Sequence, residues 1–109
     1  MSLVIHKNLA SGQWQTLSLA EQLANVGSEF ERVWSWRQKG NQQFSQNAFD
    51  RMLELLDLAI IDSRWGGARR RELTRLREES VREIMEADRA PKDLQKFFLS
   101  FAVAARRGH

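Results

Sequence analysis

Six arginines, Arg64, Arg69, Arg70, Arg71, Arg75 and Arg77, stand between residues 64 and 77 with Glu72 as the only acid among them. Planar guanidinium forks suit phosphate oxygens. Trp65, beside the Gly66-Gly67 pair, offers a ring on which a nucleic-acid base can stack. With Arg106 and Arg107 added, the set Arg64, Trp65, Arg69, Arg70, Arg71, Arg106 and Arg107 reads as a candidate polyanion-binding surface for RNA or DNA. Against this, Lys+Arg 17 and Asp+Glu 14 leave a net charge of only +3. The acids Glu78, Glu79, Glu83, Glu86, Asp88 and Asp93 directly follow the basic stretch and repel a long duplex. No helix-turn-helix spacing, zinc finger or RNA-binding consensus accompanies the arginines.

Catalytic chemistry has less to work with. There is no Cys, which excludes thiol nucleophiles, disulfides, Cys-ligated zinc and iron–sulfur clusters. The two histidines, His6 and His109, lie at opposite ends of the chain. A triad, the Glu-x-x-His pairs of a di-iron bundle and the Arg-x₄-His motif of helical nucleases all lack their imidazole. Glu54 and Asp57 are one turn apart, and Arg77 is expected to pair with Asp57 or Glu29 as a buried, structural ion pair. The expectation is no enzyme, no cofactor, no metal site and no small-molecule substrate.

The elements that position these residues are helical. Ser18-Leu19-Ala20-Glu21 is a capping box. From it Leu19, Leu23, Val26, Phe30, Val33 and Arg37 recur at three- and four-residue steps, and Gly40 supplies a left-handed C-terminal residue. A first helix is expected over about 19–39. A second runs over about 42–62 behind Asn41 or Ser45 as cap, with Phe49, Met52, Leu53, Leu56 and Ile60 facing inward. A third, over about 68–87, carries Leu73, Leu76, Val81 and Ile84. Pro91 fits the first turn of a fourth, over about 91–106, with Leu94, Phe97, Phe98, Phe101 and Ala105. Residues 1–17 read as an irregular arm anchored by Trp14 and Leu17, and 18–109 as an all-α, antiparallel four-helix bundle domain.

Three features depart from a plain bundle. Leu55, Leu58 and Ile61 on helix two, and Leu99 and Val103 on helix four, fall opposite the expected core faces, where an isolated small bundle is polar. These five are read as an oligomer interface, making the chain a homo-oligomer. The competing cover for this surface is the arm, through Val4, Ile5, Leu9 and Trp14. Second, Asn25, Glu29, Arg32 and Trp36 form a polar strip along helix one, with Arg32 placed to pair with Glu29 and to stack on Trp36. Beside it run Ala20, Ala24, Gly27 and Ser28, and Gly27 suggests an approach that a larger side chain blocks. Third, helix three is basic at its start and acidic at its end, the reverse of what its dipole favours. Pairs such as Glu72–Arg75, Arg75–Glu79 and Arg82–Glu86 offset part of that cost, yet the order itself calls for something outside the helix.

The segments 18–29 (SLAEQLANVGSE), 36–41 (WRQKGN) and 73–78 (LTRLRE) resemble a family of small uncharacterised all-helical proteins of bacteria and archaea, over most of residues 14–105. That resemblance implies the helical fold and carries no function. At the level of fold alone, the chain is similar to the four-helix proteins of ribosomal-RNA intervening sequences and to retroelement accessory proteins, which implies oligomers that engage nucleic acid. No apolar run reaches membrane-spanning length and no signal-peptide core opens the chain, so a cytoplasmic protein is expected. The function expected is a non-enzymatic, self-associating interaction or scaffold module. The alternative is a small nucleic-acid-binding accessory protein using the arginine set.

Overall fold

A computed structural model describes residues 12–107. The expected cover from Val4, Ile5 and Leu9 lies outside the described residues. A 3₁₀ turn, Gln13–Thr16, precedes four helices: α1 (Leu19–Gln38), α2 (Gln42–Ile61), α3 (Ala68–Glu86) and α4 (Lys92–Arg107). No strand occurs among the described residues, and the molecule is an all-α four-helix bundle.

Local chemistry sets the helix ends. Ser18 Oγ accepts from Glu21 N at 3.1 Å while Ser18 N donates to Glu21 Oε1 at 3.0 Å, completing the capping box. At the other end of α1, Gly40 has φ +75° and donates to Arg37 O, and Asn41 N donates to Trp36 O. Both C-terminal carbonyls are thereby satisfied in a Schellman arrangement. Asn41 also starts the next helix, its Oδ1 accepting from Phe44 N at 2.9 Å. Ser45, the other cap candidate, is instead buried and donates to Val33 O, tying α2 to α1. Pro91 sits just before α4, and its carbonyl accepts from Gln95 N.

The helices pack in the order α4–α1–α2–α3, while α3 and α4 meet at most peripherally. Packing order corrects the expected core. On α2 the residues turned fully inward are Ala48, Met52, Leu55, Leu56 and Ala59. Phe49, Leu53 and Ile60 are only partly buried against them. Leu55, expected at an oligomer interface, is 2% exposed, and Leu58 packs against the same core. The cause is that α2 lies between α1 and α3, so both of its apolar sides are used within one chain. On α3, Ser80 is buried where Val81 was expected. On α4, Leu94 and Phe98 are buried, whereas Phe97 is 42% exposed.

Gly27 fixes how α4 lies on α1. A Cβ placed there would stand 2.7 Å from Phe98 Cβ and 3.1 Å from Phe98 Cγ. The expectation of a close approach at this glycine holds, and the approaching element is α4 of the same chain. Gly27→Ala is expected to lower the unfolding free energy by about 1–3 kcal/mol through overpacking, although Ala is the better helix former by roughly 1 kcal/mol. Urea denaturation of the two proteins checks this; an unchanged or higher midpoint contradicts it.

Candidate functional site: the arginine corner and the flanks of α4

The arginine cluster is largely spent on the fold. Asp62, the residue closing α2, is buried and takes three hydrogen bonds from Arg64: from the backbone N and Nε to Oδ1, and from Nη2 to Oδ2 at 2.8 Å. Gln22 Nε2 donates both to Asp62 Oδ2 and to the carbonyl of Trp14, and Gln22 Oε1 accepts from Trp65 Nε1 at 2.8 Å. One buried amide therefore holds the 3₁₀ turn, the end of α2 and the following loop together. Trp65, expected to be free to stack on a base, has its indole N–H committed, and Arg64 and Arg69 lie over its ring at 4.5 and 5.7 Å. Those contacts make it part of the corner.

Arg70 explains the reversed charge order of α3. Its Nε donates to Ile60 O at 2.9 Å and its Nη2 to Asp62 O, so it caps the C-terminal end of α2. Cations are favoured at that end of a helix dipole. Antiparallel packing sets the start of α3 beside the end of α2, and Arg70 serves the neighbour rather than its own helix. At the opposite end, Arg37 of α1 lies over Trp34 and donates to Ala87 O, the C-cap of α3. Neither Glu72–Arg75, Arg75–Glu79 nor Arg82–Glu86 is an ion pair in the structure; the pairs among the described residues are Glu29–Arg32, Glu29–Arg51, Asp62–Arg64 and Asp57–Arg77. Arg69, Arg71, Arg106 and Arg107 are exposed.

The polar strip of α1 divides. Asn25 is exposed and donates to Glu21 O. Glu29 is buried, joined to Arg32 as expected and also to Arg51 of α2, a partner not foreseen. Trp36 meets Phe44 edge-on with centroids 4.8 Å apart, and the cation over its ring is Lys39, not Arg32. Arg77 does pair with Asp57 at 2.8 Å, but Asp57 is exposed and Arg77 only half-buried, so the pair is not a buried one. Among the described residues no three His, Cys, Asp or Glu side chains converge as a metal site.

Of the five expected interface residues, Leu55 and Leu58 belong to the core, while Ile61 and Leu99 are 70% and 59% exposed and Val103 is half-buried. Leu99 borders a groove of about 440 Å³ between α1 and α4, floored by Ala24, Gly27, Ser28 and Phe98. On the other flank of α4, Phe97 and Leu94 line a cleft of about 420 Å³ facing Leu76 of α3. Helical periodicity does not reveal this cleft, because four amphipathic helices are expected to close the bundle between α3 and α4. Gln22 also escapes the expected site, although a glutamine four residues before Val26 on the inward stripe is a detectable signal.

No family model matches the chain, and no curated protein or solved structure shows significant similarity to it. No helix among the described residues is long and apolar enough to cross a membrane.

The Arg64 hydrogen bonds hold the Asp62 carboxyl well below the usual carboxylate range, against the opposing effect of burial, and the Gln22 amide adds to them. With the folded-state pKa below the unfolded one, the stabilisation is complete above about pH 5 and is lost as pH falls further. Asp62→Asn is expected to cost about 2–4 kcal/mol at pH 7, as loss of one member of a buried charged network does. Chemical unfolding at pH 7 and at about pH 2.5 checks it, since the gap between the two proteins narrows in acid; a constant gap contradicts the expectation.

Proposed function

We propose that this chain is a non-enzymatic interaction module that self-associates through α4. The supporting observation is the position of α4 at one end of the packing order, with Leu99 and Phe97 exposed on its two flanks and an apolar groove or cleft beside each. Exposed apolar side chains beside a groove are the kind of surface a partner covers. The two buried carboxylates, Glu29 and Asp62, are each ion-paired to arginine and so serve the fold. The nucleic-acid reading loses Arg64, Trp65 and Arg70, three of its seven residues, to contacts within the fold.

Leu99→Glu is the direct test, because the side chain is exposed and its replacement leaves the core intact. In sedimentation equilibrium the wild-type chain is expected to exceed its 12.7 kDa monomer mass and the variant to return to it, with unchanged far-ultraviolet circular dichroism. A wild-type protein that stays monomeric at every concentration contradicts the proposal.

A further inference from the structure

Phe97 and Leu99 stand two residues apart on α4, about 200° around the helix, and so belong to flanks that face away from each other. The Phe97 flank is acidic. There the α3/α4 cleft has an apolar floor of Leu76, Leu94 and Phe97, and its rim carries Glu72, Glu79 and Asp93 against one base, Arg75. The Leu99 flank is basic. Lys92, Lys96 and Leu99 form the α4 wall of the groove against α1, where the acid among the lining residues is Glu31, whose Oε2 accepts from Gln95 Nε2 at 3.3 Å. Neither lysine and none of the three cleft acids takes part in the ion pairs found among the described residues.

Like flanks of two copies would set lysine on lysine or carboxylate on carboxylate, which opposes pairing. Unlike flanks set lysine against carboxylate and Leu99 against the apolar floor of the cleft. The two surfaces also match in length. Lys92, Lys96 and Leu99 follow one another at steps of four and three residues, as do Glu72, Leu76 and Glu79 on α3, so each row runs about 10 Å along its helix. We infer that copies of this chain join head to tail, the Lys92–Lys96–Leu99 flank of one seated in the α3/α4 cleft of the next. This inference rests on the self-association proposed above and adds the mode to it. The contact is heterologous, because it joins two different patches that point away from each other. Every copy added leaves a free cleft at one end and a free flank at the other, so assembly does not stop at two; it closes as a ring or continues as a filament.

Blocking one surface at a time separates this mode from association in general. A cleft variant, Glu72→Lys with Glu79→Lys, presents a basic cleft to a basic flank. A flank variant, Leu99→Glu, brings a carboxylate to an acidic cleft. In sedimentation experiments at low salt the wild-type assembly is expected to pass the mass of two 12.7 kDa chains as concentration rises. Each variant alone is expected to associate at least tenfold more weakly. Mixed in equal amounts, the two are expected to form a one-to-one dimer and nothing larger. The native flank of the cleft variant enters the native cleft of the flank variant, while the remaining basic cleft and a flank that keeps Lys92 and Lys96 repel. All three substituted positions are exposed or half-exposed, and circular dichroism of each variant verifies its fold. A wild-type chain that stops at the dimer, a cleft variant that associates as wild type does, or a mixture that yields no one-to-one dimer overturns the head-to-tail mode and leaves self-association standing. A wild-type chain that is monomeric at every concentration overturns both.

Discussion

Phe98 lying on Gly27 is the contact on which the surface of this molecule depends. With no Cβ at that point, α4 settles directly against α1 and sets the Phe98 ring in the core beside Phe30, centroids 5.1 Å apart. Seated there, α4 is committed to α1 and stands away from α3. Leu94 and Phe98 are consumed, and Phe97 and Leu99 are turned outward on either side. An open end to the packing order, rather than an excess of apolar residues along every helix, is what leaves Phe97 and Leu99 exposed.

Charge is arranged around helix ends that belong to neighbours. Arg70 at the start of α3 hydrogen-bonds the last carbonyls of α2, and Arg37 of α1 reaches the C-cap of α3. A helix read alone looks electrostatically reversed; the C-terminal carbonyls of the antiparallel neighbour, which Arg70 reaches, account for a base at its start. The Gln22–Asp62–Trp65 network works alongside it at the other side of the same corner. Burying a charged group is tolerable only when its hydrogen bonds are supplied, and Asp62 receives four of them from Arg64 and Gln22 together.

What could be read from the sequence follows the range of the interaction. Ser18, Glu21, Gly40 and Asn41 act within a few residues of themselves, so the helices and their ends are legible to within a residue or two. Gly27 is legible as a close approach, though not which helix makes it. Leu55 and Leu58 are misplaced for a physical reason: periodicity reports that a side of α2 is apolar, not whether α3 or another chain covers it. Trp65 and Arg70 mislead because their partners, Gln22 and the α2 carbonyls, are distant in sequence or belong to the backbone. The cleft beside Phe97 has no signal at all, since it arises from a contact that α3 and α4 do not make.

The outward flank of α4 as a surface covered by a second copy of the same chain is open to direct observation. Isotope-filtered nuclear Overhauser spectroscopy on a mixture of labelled and unlabelled protein reports that contact without altering a residue. Intermolecular cross-peaks from the Leu99 and Val103 methyls to the other chain are the predicted result. Cross-peaks from these methyls only to their own chain, at concentrations where the protein is fully folded, would contradict it.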